Sequence, residues 1–191
     1  MSRVHVLVEG QTEETFMRDV VAPHLSILGV YLHYTILKTK RVADAPDHAG
    51  GVTGYRRFKN DLIRLLRDTN VAAVTTFVDF YGLPIDFPGR GSMPPGDCFA
   101  RVAYVEEQIR SDINHDKLIP FLALHEFEAL LFVAPETVDS AIPEVNAFAR
   151  LTAIKESFLS PEEINDSPQT APSKRLIDIF GGSYQKLCTV L

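Results

Sequence analysis

RVHVLVEGQTEETF, residues 3–16, decides the architecture of this chain. Residues 3–8 form a short β-branched run, and the run stops at Glu9-Gly10, where glycine permits a turn. Thr12 is a natural N-cap, and Glu13 and Glu14 fall in the first turn of a helix, where the helix dipole favours negative charge. A strand that runs straight into a capped helix is the opening half of a βαβ unit. Phe16 and Val20 share one face of that helix, which Pro23 is expected to bend or restart before Leu28.

The same alternation continues downstream. Residues 30–38 read as a second strand, and the loop after it carries Pro46 and the glycines Gly50, Gly51 and Gly54. Phe58, Leu62, Leu65 and Leu66 then stand at i, i+4, i+7 and i+8 of an amphipathic helix. Residues 71–79, VAAVTTFVD, are apolar on both faces, as a buried parallel strand requires. Residues 82–96 hold four prolines and four glycines, so they form a long irregular loop of the kind that covers or builds a site. Val102, Val105, Ile109 and Ile113 mark another helix, and residues 118–124 a fourth strand. The order predicts an α/β domain over residues 1–133, with a mainly parallel four-stranded sheet flanked by helices. A C-terminal helical appendage follows over residues 134–191, punctuated by Pro135, Pro143, Pro161, Pro168 and Pro172.

Composition narrows the function classes. A chain of 191 residues fits one domain plus an appendage, at roughly 150 residues per domain. Its 46% of hydrophobic residues suffices for a packed core. Cys98 and Cys188 are too few and too far apart for a disulfide framework or a cysteine-rich zinc site, which favours the reducing cytoplasm. No signal peptide or membrane span is expected, since the longest apolar run is far below the roughly 20 residues that cross a bilayer. A net charge of −6 excludes a uniformly basic nucleic-acid coat. One segment runs against it: residues 38–59 carry Lys38, Lys40, Arg41, Arg56, Arg57 and Lys59 against Asp44 and Asp47. This is either a solvated helix face or a local phosphate-binding patch. Gly50, Gly51 and Gly54 lack the Lys-Ser/Thr of a P-loop, so they form a flexible turn or an amide approach to a nucleic-acid phosphate, not a nucleotide-hydrolysis site.

Ligands of open α/β sheets bind beyond the carboxyl ends of the strands. Those ends deliver Glu9, Asp79, and His125, Glu126 and Glu128. Gathered carboxylates stay ionised together only around a cation or by sharing a proton, and an all-oxygen donor set suits Mg²⁺ or Mn²⁺. HEFE is not a zincin motif, because Ala129 stands where a second histidine is required. Phe80 and Tyr81 are either base-stacking residues or cover for the core.

VLVEGQTEETF, followed well downstream by FVDFYGLP, resembles the Toprim superfamily of topoisomerases, bacterial primases and overcoming-lysogenization-defect nucleases. The set VEGQTEE, GGVTGY, DFYGLP, HEFEALLF and PSKRLI resembles, more narrowly, the bacterial family named domain of unknown function 4276. The Toprim resemblance implies a metal-dependent site in which Glu9 is the first-strand acid/base or ligand and Asp79 the first aspartate of an Asp-x-Asp metal motif. The second aspartate position holds Tyr81, so Asp86, Glu126 or Glu128 would have to restore the charge. Lys174 resembles the late lysine of nuclease-type relatives. The implied activity is a Mg²⁺- or Mn²⁺-dependent nuclease or related phosphoryl-transfer subunit acting on DNA or RNA, with an ATPase partner in phage defence. Homodimerisation is left open. The alternative is a non-catalytic Toprim-like interaction or sensor subunit. Family members generally continue past the position of Leu191, so the resemblance also implies a chain cut short there.

Overall fold

A computed structural model describes residues 1–37, 52–124, 127–164 and 171–183. By its contacts the chain divides into two compact units, Met1–Ala123 and Leu124–Leu191, ahead of the division after residue 133 expected from sequence.

The first unit is an α/β layer structure. Strands β1 (Ser2–Val8), β2 (Val30–Ile36), β3 (Ala73–Asp79), β4 (Leu118–Ile119) and β5 (Leu122–Ala123) alternate with helices α1 (Gln11–Phe16), α2 (Ala22–Ile27), α3 (Tyr55–Leu66) and α4 (Cys98–Ile113). The sheet order is β2-β1-β3-β4, with β5 also on β3, and every pairing is parallel. This is the parallel α/β sheet flanked by helices that the alternation predicts, and it is consistent with a Toprim-like fold. Right-handed crossovers set α1 and α2 on one face and α3 and α4 on the other. Tyr55 and Lys59 of α3 accordingly both donate to the Asp112 carboxylate of α4.

Burial rises along β1 until Val6, Leu7 and Val8 are enclosed, and Val8 stands in register with Ile36 on one side and Phe77 on the other. The carboxyl end of β1 is therefore its best-packed part. Phe58, Leu62, Leu65 and Leu66 of α3 and Val102, Val105 and Ile109 of α4 are buried at the predicted helical spacing.

Three local details differ from the sequence reading. The first helix is capped by Gly10, not by Thr12. The Glu13 carboxylate reaches back to accept the Gly10 N–H at 2.8 Å, one half of a capping box. Between α1 and α2 the helix widens into a π turn, Met17–Val21, where the Ala22 N–H bonds the Met17 carbonyl. This is how the chain accommodates Pro23, which has no N–H to offer its own turn. Finally, the fourth strand is split at Pro120, which cannot donate to a ladder. Thr76, buried in β3, bridges the break: its hydroxyl donates to the Phe121 carbonyl at 2.6 Å and accepts the Phe121 N–H at 2.9 Å.

Thr76→Val keeps the shape and removes both bonds. It is expected to cost about 1–3 kcal/mol, the usual penalty for leaving buried polar groups unpaired. Urea denaturation reads this as a lower midpoint with an unchanged slope.

The second unit is helical, as predicted. It contains a 3₁₀ helix (Phe127–Phe132), α5 (Pro135–Ala141), α6 (Phe148–Glu156) and α7 (Pro172–Phe180). Pro135 and Pro172 start helices, where the missing N–H is not needed. The unit has its own core, in which Phe132, Val138, Ile142, Leu151, Ile164 and Leu176 are nearly or fully buried. Asp139 of α5 fixes the start of α6 by accepting the backbone N–H groups of Ala147 and Phe148. Among the described residues no helix is long and apolar enough to cross a membrane.

Candidate functional site

Val8 ends β1 opposite Phe77, and Asp79 ends β3 two residues further on, so adjacent parallel strands bring Glu9 and Asp79 to the same rim. The Glu9 N–H extends the ladder to the Phe77 carbonyl at 3.3 Å. Its side chain then turns to the same neighbour, and Oε2 accepts the Asp79 backbone N–H at 3.1 Å. Gly10 follows in an extended conformation, tied to Glu13. A Cβ at this position would stand 3.2 Å from the Glu13 carboxylate, so the turn is tight. The Phe80 N–H closes the far side by bonding the Ala123 carbonyl at 2.7 Å. Glu9 is thus held by main-chain bonds on a well-packed sheet edge.

Burial dominates the electrostatics of this edge. Burial pushes the Glu9 carboxyl above its usual range, the Asp79 N–H pulls it partly back, and the nearby Glu13 charge raises it again. Of the strand-end acids expected to converge, Glu9 reaches the main chain of Asp79. His125 and Glu126 lie outside the described residues. Glu128 is half-buried in the 3₁₀ helix of the second unit, and Lys174 is exposed on α7 of that unit. Among the described residues no group of three or more His, Cys, Asp and Glu side chains is arranged to hold a metal. The donor chemistry of Glu9 and Asp79, carboxylate oxygen alone, is of the kind that suits Mg²⁺ or Mn²⁺. Such ions bind through one or two carboxylates and fill their remaining positions with water and substrate phosphate.

The remaining expectations separate. Asp86 caps α3: its Oδ2 accepts the Tyr55 N–H at 3.0 Å. The first amide of that helix is therefore occupied by a carboxylate and is not offered to a phosphate, and Gly50 and Gly51 lie outside the described residues. So do Lys38, Lys40 and Arg41. Arg56 is exposed and Arg57 half-buried in the first turn of α3, while Lys59 is paired with Asp112 at 2.7 Å. Phe80 is buried and belongs to the core, whereas Tyr81 is exposed.

Arg90 has no counterpart among the sequence expectations. It lies in the loop after β3, half-buried, with its guanidinium 4.4 Å from the centre of the Phe80 ring, within cation–π range. Its nitrogens reach the Leu83 and Tyr81 carbonyls only at 3.5 Å, long for a hydrogen bond. Burial holds its proton affinity below the usual arginine value. The signal in the sequence is a cation between two glycines, Gly89-Arg90-Gly91, in the loop that follows a strand-end aspartate.

Fold and edge together define a class: a parallel α/β protein whose first and third strands present a glutamate and an aspartate at the carboxyl rim. The chain belongs to the domain of unknown function 4276 family (DUF4276), whose model matches residues 8–189. No curated protein and no solved structure matches it.

Proposed function

We propose that this chain is a divalent-metal-dependent nuclease, or a related phosphoryl-transfer subunit, acting on nucleic acid through a Toprim-like site. The observation that carries the reading is the Glu9 carboxylate seated on the Asp79 N–H at the rim of a parallel sheet. Asp79 would hold Mg²⁺ or Mn²⁺, which when bound supplies charge neutralisation at the phosphate and a water of lowered pKa.

The chain's own residues do the rest. Glu9, whose proton affinity is raised, orients the attacking water and accepts its proton. The bonds from Asp79 to Glu9 and from Gly10 to Glu13 keep this turn and its carboxylate in place. Arg56 and Arg57, with Lys38, Lys40 and Arg41, supply the basic track for the phosphate backbone. By the Toprim analogy, an ATPase in phage defence is the expected partner. Tyr81 at the second metal-aspartate position is the feature that favours the second reading, a non-catalytic interaction or sensor subunit.

Cleavage of plasmid and single-stranded substrates, with and without Mn²⁺, tests the assignment. Asp79→Asn is expected to lower cleavage at least about a hundredfold and to weaken Mn²⁺ binding in calorimetry, as loss of a charged ligand should. Wild-type protein that neither binds Mn²⁺ nor cleaves would leave the sensor reading. Cleavage that survives in the variant would place the reaction elsewhere.

A further inference from the structure

Four arginines of the first unit, Arg3, Arg18, Arg64 and Arg110, are each paired with a carboxylate. Of the other described arginines in that unit, Arg56, Arg67 and Arg101 are exposed, whereas Arg57 and Arg90 are half-buried, and Arg90 alone of these two is held against an aromatic ring. Among the described residues no carboxylate lies within ion-pairing distance of it, although it is half-buried, where an unneutralised charge is disfavoured. Its position is nonetheless set. The Phe80 ring supports one face of the guanidinium, Met93 Sδ lies 3.7 Å from one terminal nitrogen, and two carbonyls touch the group only distantly.

The backbone reinforces this. Gly89 has φ +78°, and its Cα packs so closely on α4 that a Cβ would come within 2.7 Å of Gln108 Cγ. The loop is therefore pressed onto α4 immediately before Arg90. A guanidinium held in place with no carboxylate partner among the described residues retains donor capacity for an incoming anion, and its planar fork matches phosphate geometry. The Phe80 that carries it is the residue next to Asp79.

We propose that Arg90 contacts a phosphodiester of the nucleic acid bound at the Glu9–Asp79 rim. This rests on the nucleic-acid reading above and adds a binding residue to it. Arg90 makes the site bipolar, with carboxylates on one side for a cation and a guanidinium on the other for phosphate oxygens.

The test is fluorescence-anisotropy binding of a short single-stranded DNA, and an RNA of the same sequence, in Ca²⁺ and across a salt series. Arg90→Met is expected to weaken binding about tenfold or more and to flatten the salt dependence by about one phosphate contact. Arg90→Lys should recover only part of the affinity, because a point charge replaces a fork. Melting curves establish that both variants fold. Arg90→Met binding as tightly as wild type overturns the proposal, while Asp79→Asn still reports on the site. Binding that depends on Arg90 without any cleavage sustains the proposal and overturns the nuclease. Wild-type protein that binds neither strand overturns both.

Discussion

Glu9→Gln is expected to abolish most activity, by about 10²–10⁴-fold for loss of a general base, and at the same time to leave the protein as stable as wild type or more so at neutral pH. The amide oxygen of glutamine can still accept the Asp79 N–H, so the fold keeps the bond that positions the side chain. What disappears is the burial of a charge beside Glu13. The direction of linkage follows from the raised pKa. The folded chain binds the Glu9 proton more tightly than the unfolded chain. This contribution to stability is therefore complete below the ordinary value of 4.5 and is lost as pH rises through the elevated value. Above the elevated value the buried Glu9 charge is a net cost that Glu9→Gln removes, and toward pH 4 the two proteins should converge. Thermal melts across that range check the sign. Adding Mn²⁺ should reverse the order at pH 7, because only the carboxylate gains a counter-charge. A variant that melts lower than wild type at pH 7 without metal would mean that Glu9 serves the fold, not the chemistry.

The legibility of this site follows from what each residue needs. Glu9 and Asp79 can be found because the pattern of hydrophobicity marks where a buried strand ends, and parallel pairing forces such ends to one rim. Local propensity points to Thr12 as the cap because it cannot see Glu13 folding back onto Gly10. Pro120 announces a break in the fourth strand, but the repair by Thr76 joins residues 45 apart and belongs to tertiary structure. Asp86 reads as a ligand from its position after Asp79, whereas a helix that begins 31 residues upstream uses it as a cap. Arg90 escapes sequence reasoning for the same reason. Its role depends on Phe80 beneath it and on the absence of a carboxylate partner among the described residues, neither of which has a periodic signature.

Gly89→Ala should produce the largest loss of stability in the loop that carries Arg90. Two separate costs add. A side chain at φ +78° is strained whatever the space around it, and the new methyl would stand 2.7 Å from Gln108 Cγ and 2.9 Å from Tyr104 Cε1. Backbone strain of about 1–3 kcal/mol and overpacking of similar size give an expected loss of about 2–4 kcal/mol, after partial relaxation. Gly91→Ala is the matched control. Its Cβ would meet Ile85 Cδ1 at 3.8 Å, an ordinary contact. The effect of that change should stay within about 0.5 kcal/mol. Because the Gly89 strain acts on the segment that leads into Arg90, binding of single-stranded DNA should fall with stability in Gly89→Ala and stay unchanged in Gly91→Ala. A double variant separates the two costs. Gln108→Ala removes the Cγ at 2.7 Å but neither the Tyr104 contact nor the positive φ. It should therefore recover only part of the stability lost in the Gly89→Ala background. Full recovery would show that the glycine is needed for space alone, and no recovery would assign the whole cost to the ring of Tyr104 and the backbone.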